Sequence, residues 1–265
     1  MRQLLQRAAL EAIDLVMATI PRHPPSQASL HQCKIISHRG ENDNRQVLEN
    51  TLPAFDAARQ AGVWGIECDI RWTADLVPVI HHDPGCGRLF GDPVELRELS
   101  FDELRERFPL IPSLRELVEE FGGNTHLMLE IKAEPYPQPA QQKAILQATL
   151  SSLTPGKHYH FLLLDPDLVG HVDFVPRTYS FLVAELNVRH LSRHCLEMGL
   201  GGLTGHYLML NRYLQRTHGD AGQRIGTGFL HSRNALFREL NRGVEWIFSN
   251  RAVKIQGILD AHLEQ

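Results

Sequence analysis

The chain has 265 residues, of which 43% are hydrophobic and 22% are charged. This length suits one α/β barrel better than two small domains, and the hydrophobic fraction is enough for a sizeable core. The formal net charge is −4, from 27 basic and 31 acidic residues, which excludes the strongly basic balance of most nucleic-acid-binding proteins.

The first 30 residues are predicted to form an amphipathic helix and a linker ahead of the main domain. Apolar residues recur at helical spacing from Leu4 to Ile20, with charged residues between them, and Arg22–Ser29 reads as the linker. The apolar run is too short and too charged for a membrane span or a secretory signal. Because its basic content is modest, we expect the helix to pack on the domain rather than on a membrane surface, although membrane contact is the alternative.

From residue 31 to residue 265, short strand-like runs alternate with helical segments. This alternation is typical of parallel βαβ units. Helix starts are marked by Asn50 or Thr51, by Ser100 with Glu103, and by Ser113. The nine candidate strands are Cys33–Ile36, Val63–Arg71, Val77–Ile80, His126–Lys132, His160–Leu164, Thr178–Val183, Gly202–Thr204, Ile225–Leu230 and Trp246–Phe248.

The second and third candidate strands are too close together for a helical crossover, so they should pair antiparallel as a hairpin. With the turn centred near Asp75 and Leu76, paired residue numbers sum to about 151, which places Asp69 opposite His82. Glu67 and Asp69 are two residues apart and share one face of their strand.

Eight parallel strands remain once one arm of the hairpin is set aside. We therefore predict an α/β fold, a TIM (β/α)₈ barrel over residues 31–265, with a polar insertion at about residues 85–112 after His82 and Asp83. An open doubly wound sheet is the competing fold. The absence of a GxGxxG motif after the first strand weakens its dinucleotide-binding form.

Chemically active side chains fall at the ends of the predicted strands, where barrel enzymes carry their active sites. Glu67, Asp69 and Glu130 offer hard oxygen ligands that suit a divalent cation, Mg²⁺ or Ca²⁺, better than zinc. A buried cluster of this kind is costly without a cation. Each has an alternative reading: Glu67 and Asp69 as solvated strand residues, and Glu130 with Lys132 as a surface ion pair.

The remaining side chains at the strand ends supply charge and proton transfer. Arg39 and Lys132 present fixed positive charges suited to phosphate oxygens. His38 and His82 could act as base and acid on either side of one phosphorus atom, because histidine titrates near neutrality. Glu49 could support the cap of the following helix or reach the site. His81 should point away from His82 and be structural.

The motifs in which these residues stand resemble the glycerophosphodiester phosphodiesterase family. The motifs are HRG at 38–40, ENTLPAF at 49–55, GIECDIRWTAD at 65–75, VPVIHHD at 77–83, LEIK at 129–132 and GVEWIFSNR at 243–251. The resemblance implies a TIM barrel with a small insertion, and divalent-metal-dependent hydrolysis of a glycerophosphodiester to an alcohol and sn-glycerol 3-phosphate. It implies that His38 and His82 are the acid/base pair.

By the same resemblance, Glu67, Asp69 and Glu130 are the metal ligands, and Arg39 and Lys132 hold the phosphate. A glycerol hydroxyl would attack phosphorus first, and water would then open the cyclic phosphate.

The sequence departs from the family pattern in the part expected to recognise the organic group. The late strand that usually carries a tryptophan reads Ile225–Leu230 here and has none, and the customary aspartate near the end is Asn250. We therefore expect an altered substrate pocket, for which Glu49, His206 and Phe229 are the candidate lining residues. Core packing is the alternative for Phe229.

Three functions remain open from the sequence. The first is a glycerophosphodiester hydrolase. The second is a related barrel phosphodiesterase acting on a lysophospholipid, with the N-terminal helix as a membrane contact. The third is a non-catalytic phosphate-binding domain, which would need no acid/base pair. The four cysteines have neither CxxC nor zinc spacing, so we expect reduced thiols in a cytoplasmic protein.

Overall fold

Eight parallel strands close into a barrel in the computed structural model, which describes residue 13 and residues 15–263. The strands are β1 Lys34–His38, β2 Gly65–Trp72, β3 Pro78–Ile80, β4 His126–Ile131, β5 Tyr159–Leu163, β6 Ser180–Ala184, β7 Gly202–His206, β8 Arg224–Gly228 and β9 Trp246–Ser249. Around the barrel the order is β1, β2, β4, β5, β6, β7, β8 and β9, and β9 pairs with β1. The predicted TIM barrel is confirmed.

Helices cover the outside of the barrel and begin where the sequence carries capping residues. The Thr51, Ser100 and Ser113 side chains each accept a hydrogen bond from the first helical turn, the last two as capping boxes. Between β5 and β6 the chain forms only 3₁₀ turns. From residue 27 onward the α-helices are α1 Gln27–Gln32, α2 Leu52–Gln60, α3 Gly87–Phe90, α4 Phe101–Arg107, α5 Leu114–Phe121, α6 Pro139–Thr149, α7 Val188–Glu197, α8 Arg212–Asp220, α9 Arg233–Leu240 and α10 Ala252–Leu263.

The predicted hairpin is present, but its register differs by one residue from the expectation. Ile70 pairs with Ile80, and the His81 amide donates to the Asp69 carbonyl, so His81 rather than His82 stands opposite Asp69. The turn is tightened by Leu76, which adopts a left-handed backbone with φ of 62°. Strand β3 ends at Ile80, and the two histidines that follow lie in a loop.

The insertion packs around an apolar cluster of its own. It contains α3, a 3₁₀ turn at Leu96–Glu98 and α4, which is the helix predicted to start at Ser100. Its buried side chains meet Val79 of β3, which attaches the cluster to the hairpin rather than to the barrel interior. They are Cys86, Leu96, Leu99, Leu104, Phe108 and Ile111.

The predicted N-terminal helix falls largely on residues 1–12 and 14, which lie outside the described residues. Residues 15–19 are helical and contact α9, where the Asn234 side-chain amide donates to the Ala18 carbonyl at 2.6 Å. Asn241, just after α9, donates to the His23 carbonyl. The predicted linker contains the first residues of α1. Within the described residues, no helix combines the length and apolar character needed to cross a bilayer.

Two neutral histidines are hydrogen-bonded at the amino-terminal end of the barrel. His126 Nδ1 lies 3.1 Å from the Lys157 carbonyl and so donates to it, which leaves Nε2 to accept from His160 Nδ1 at 2.7 Å. The His126 ring also stacks on Trp64. Burial lowers the pKa of His126 to about 4 and that of His160 to about 3.

We expect these histidines to make the fold less stable in acid. The unfolded chain binds more protons than the native state below the ordinary histidine pKa of 6.5, so unfolding free energy falls as pH drops from there toward 4. His126→Gln should reduce this loss between about pH 7 and about pH 5 by about 2 kcal/mol. Urea unfolding at both pH values measures it. His190→Gln, at an exposed histidine of α7, should leave the loss unchanged.

Candidate active site

The inward-facing side chains change from apolar to polar toward the carboxyl ends of the strands. Ile36, Met128 and Phe248 belong to the apolar cluster inside the barrel. Two residues further along the same strands the chain places His38, Glu130 and Asn250. Because side chains alternate with a period of two, these polar groups converge on one end of the barrel.

Three buried carboxylates form the centre of this end. Oxygen atoms of Glu67, Asp69 and Glu130 lie within 4.8 Å of one another. Neighbouring strands β2 and β4 hold them in register, with Asp69 directly beside Glu130. All three are buried, so the alternative reading of Glu67 and Asp69 as solvated strand residues is wrong.

Two cations lie against the carboxylates. Lys132 Nζ is 2.6 Å from Asp69 Oδ1 and also pairs with Glu130. Arg39 Nε is 3.2 Å from Asp69 Oδ2, and its backbone amide donates to Glu67 Oε2. The predicted pair of Glu130 and Lys132 is therefore real but buried, not a surface pair.

Burial and mutual repulsion act differently on the three carboxyls. Burial, together with Asp69 and Glu130, raises the pKa of Glu67 well above its usual value. Burial and Asp69 raise the pKa of Glu130 to about 7. Burial also opposes ionisation of Asp69, but Lys132 and Arg39 outweigh it and lower that pKa. As the pH rises, Glu67 and Glu130 therefore lose their protons later than Asp69 does.

The carboxylate cluster fits a divalent cation. Glu67 Oε1 is buried and has no hydrogen-bond partner among the described residues. Three carboxylates face two fixed cations, so the cluster lacks positive charge when all are ionised. The donors are all oxygens, which Mg²⁺ and Ca²⁺ prefer. A cation held by Glu67, Asp69 and Glu130 would also remove the repulsion that raises the glutamate pKa values.

His38 closes β1 beside the carboxylates. Its Nε2 lies 3.7 Å from Glu67 Oε2, and its Nδ1 lies 2.6 Å from Asn250 Oδ1. An amide oxygen only accepts, so Nδ1 carries the proton and Nε2 presents its lone pair to the site. Burial, with Arg39 nearby, lowers the pKa of His38 to about 3.

His82 follows the hairpin and has a carboxylate as its partner. Its Nδ1 lies 2.7 Å from Asp83 Oδ1, and its backbone carbonyl accepts from Arg71 Nε at 2.7 Å. Burial lowers its pKa, although Asp69 and Asp83 oppose the change. His81 instead turns to the insertion, where its Nε2 lies 3.3 Å from the Gly85 carbonyl, which agrees with the structural role predicted for it.

Several supporting residues were not identified from the sequence. Asn50 donates to Asp69 Oδ2 at 2.7 Å from a left-handed backbone with φ of 57°. Arg71 is held by Glu134 at 2.8 Å. Arg88 bridges the insertion to the site. A lone arginine or asparagine carries no sequence signal for such contacts, because the partners lie far away in the chain.

Glu49, a candidate pocket residue, belongs to an ion-pair network. Its carboxylate accepts from Arg39 Nη1 at 3.0 Å, from Asn44 Nδ2 at 2.7 Å and from Arg88 Nη2 at 2.5 Å. It is buried, and its pKa falls to about 2 because these donors outweigh burial. Its contacts orient Arg39 rather than line an open pocket.

Phe229 and His206, the other candidate pocket residues, lie at the carboxyl ends of β8 and β7. The Phe229 ring meets the His38 ring edge-on, with centroids 5.0 Å apart. The His206 ring centroid lies 6.2 Å from that of Phe229. Phe229 holds a left-handed backbone with φ of 67° and is only partly buried, so its ring reaches the site instead of the outer core.

Asn250 should matter to catalysis through the His38 ring. Asn250→Leu keeps the size of the side chain but loses the acceptor, so nothing holds the proton on Nδ1 of His38. We expect kcat to fall about tenfold or more with little change in KM. Asn250→Asp keeps an acceptor and should restore most of kcat. The ¹⁵N shifts of the His38 ring should show a mixed tautomer only in the leucine variant; an unchanged tautomer there would contradict this role.

The sequence is similar to that of known proteins of one family. The sequence model of the glycerophosphoryl diester phosphodiesterase family matches residues 38–192, more than half of the chain. A curated relative, glycerophosphodiester phosphodiesterase 1 of Bos taurus, is 32% identical over 115 residues, which are 38% of this chain and 34% of that protein. The chain thus covers about a third of the length of this relative.

Solved structures share the fold at lower identity. A glycerophosphodiester phosphodiesterase of Thermotoga maritima matches with a TM-score of 0.68 and 23% identity, over 84% of this chain and 96% of that one. A phosphodiesterase of Oleispira antarctica, solved with the product sn-glycerol-3-phosphate, matches with a TM-score of 0.70 and 20% identity, over 86% of this chain and 96% of that one.

Proposed function

The chain belongs to the glycerophosphoryl diester phosphodiesterase family, and from that membership we propose that it hydrolyses glycerophosphodiesters to an alcohol and sn-glycerol 3-phosphate. The observation that carries the proposal is the convergence of two histidines, three carboxylates and two cations on the carboxyl end of one barrel. A non-catalytic phosphate-binding domain would need the cations but not the histidines with their oriented rings.

The two histidines have different partners, and this suggests different roles. His38 hydrogen-bonds to a neutral amide, and its low pKa keeps Nε2 unprotonated at neutral pH, as a base requires. His82 hydrogen-bonds to the Asp83 carboxylate, which opposes the effect of burial on the His82 pKa and favours the imidazolium that an acid needs. In the first step His38 takes the proton of the glycerol hydroxyl as its oxygen bonds to phosphorus, and His82 protonates the departing alkoxide.

The second step reverses the two roles. Water attacks the cyclic phosphate and gives a proton to the His82 imidazole, and the glycerol oxygen leaves with the proton held by His38. Both histidines return to their starting states, and one water is consumed. This balance agrees with overall hydrolysis.

Charge neutralisation falls to the cations of the centre. Arg39 and Lys132 stand beside the carboxylates and are suited to bind the two non-bridging phosphate oxygens. A divalent ion held by Glu67, Asp69 and Glu130 supplies Lewis-acid polarisation of the phosphate when bound. We propose Mg²⁺ or Ca²⁺ as that ion, on the basis of the all-oxygen donor set.

Release of glycerol 3-phosphate from glycerophosphocholine and glycerophosphoethanolamine tests the proposal. It should occur with Mg²⁺ or Ca²⁺ and stop with chelator. If the protein binds metal but turns over neither compound, the reaction class stands only with a different phosphodiester. If it binds no metal and shows no turnover, the phosphate-binding alternative is favoured.

A further inference from the structure

The rim of the barrel at its catalytic end is divided by charge. On the β6 to β9 side, exposed arginines stand in the first turns of α7, α8 and α9 and directly after β9; they are Arg189, Arg212, Arg233 and Arg251. In the same loops and first turns, Glu185 is the only carboxylate. The loop after β5 carries Asp165, Asp167 and Asp173 instead.

The arginines of three helices stand where the helix dipole disfavours them. Arg212 and Arg233 are the first residues of α8 and α9, and Arg189 is the second residue of α7. A cation in a first turn opposes the positive end of the helix. Among the described residues, none of these three pairs with a carboxylate, although Arg233 lies over the Phe237 ring.

Exposed apolar side chains accompany these arginines. Leu186 precedes α7 and Tyr213 follows Arg212, and they are 66% and 74% exposed. Leu15 and Val16 are 71% and 60% exposed. Their helical segment also lies at this end, because Ala18 is bound by Asn234 in the first turn of α9.

An open groove of about 420 Å³ runs between the first turns of α7 and α8. Leu186, Val188 and Met209 give it apolar walls, and Arg189 lies at its side. The Met209 amide donates to the His206 carbonyl. The His206 ring in turn lies near the Phe229 ring, which meets His38. The groove therefore lies on the arginine-rich rim, beside the segment that follows His206.

We propose that the β6 to β9 side of this rim is a contact surface for a membrane that carries anionic phospholipids. Positive charges around exposed leucine, valine and tyrosine side chains are complementary to an anionic lipid interface, where aliphatic groups insert and arginines meet headgroups. That the substrate is a phosphodiester of a lipid in this surface, with its acyl chain along the groove, rests on the proposed function.

Co-sedimentation of the full chain with vesicles tests the surface without catalysis. Vesicles of phosphatidylcholine with about one third phosphatidylglycerol should bind the protein, and the combined variant Arg189→Gln, Arg212→Gln and Arg233→Gln should bind about a hundredfold less, since each basic residue contributes roughly fivefold. Leu186→Ser with Tyr213→Ser should also weaken binding, whereas Leu110→Ser, in the insertion, should not.

A matched charge variant separates a local surface from net charge. Lys157→Gln, Arg177→Gln and Arg224→Gln remove three exposed cations at the opposite end of the barrel. They should leave vesicle binding unchanged. Equal loss in both triple variants, or no binding of the wild type to anionic vesicles, would overturn the proposal. So would a stable dimer in light scattering that releases its protomers when Leu186 and Tyr213 are replaced.

Turnover of glycerophosphocholine, a soluble compound, keeps the two proposals apart. The rim variants should retain it, because none of the replaced side chains contacts the catalytic centre. Vesicle binding without any phosphodiester turnover would remove the proposed function and leave the lipid surface standing. Turnover of the soluble substrate without vesicle binding would remove the lipid surface and leave the proposed function standing.

Discussion

Replacing His38 with alanine should lower kcat by about 10²- to 10⁴-fold, the usual contribution of a positioned general base. Metal binding should persist, because the residues proposed to hold the metal are the three clustered carboxylates and His38 is not among them. His82→Ala should cause a similar loss with a natural alcohol as leaving group. With a nitrophenyl ester of glycerol phosphate, whose nitrophenolate leaves without protonation, His82→Ala should recover most of the rate of the first step, seen as nitrophenolate release in a single turnover, and His38→Ala should not.

Steady-state assays on the natural ester, single-turnover assays on the nitrophenyl ester and calorimetric titration of metal make this comparison. His31→Ala, at an exposed histidine in the last turn of α1, is the control and should change neither quantity. Recovery of His38→Ala rather than His82→Ala on the nitrophenyl ester would exchange the two roles. Full activity of either variant on the natural ester would falsify the acid/base pair.

Glu67→Gln should abolish metal-dependent turnover, with a loss of about 10³-fold or more if the ion supplies several kcal/mol of stabilisation to the transition state. The same change should not lower the melting temperature of the metal-free protein. It removes a buried carboxyl whose ionisation is opposed by burial and by two carboxylate neighbours. Added Mg²⁺ or Ca²⁺ should raise the melting temperature of the wild type but not of the variant.

Glu134→Gln is the matched control for this experiment. Glu134 is a half-buried carboxylate just after β4, and it pairs with Arg71 outside the cluster. It should keep the metal-induced rise in melting temperature. If Glu67→Gln retained that rise, the ion would bind elsewhere, and the cluster of Glu67, Asp69 and Glu130 would not be its site.

The barrel could be predicted because each strand carries its own local signal. Apolar runs such as β4 and β9 and caps such as Ser113 depend only on neighbouring residues, and the structure places them where the pattern indicated. The hairpin register could not be fixed to one residue. It depends on the left-handed backbone of Leu76 in the turn, a conformation that leucine rarely adopts.

The centre of the site was predictable in composition but not in its connections. Strand periodicity put Glu67 beside Asp69, and the strand ends brought His38 and Glu130 toward them. That Asn250 binds the His38 ring, 212 residues away, depends on the closure of β9 against β1. No local pattern reports such a closure, and the same holds for Arg71 and the His82 carbonyl.

The insertion supplies none of the atoms proposed to react, yet Arg88 within it joins both sides of the centre. Its guanidinium contacts Asp83, the partner of His82, and Glu49, the partner of Arg39. The insertion therefore holds these two partners in position, and it packs around an apolar cluster of its own. A protease cut in the insertion, or a change in its length, would misalign the loops that carry Asp83 and Glu49 and so lower activity. The barrel itself would stay folded.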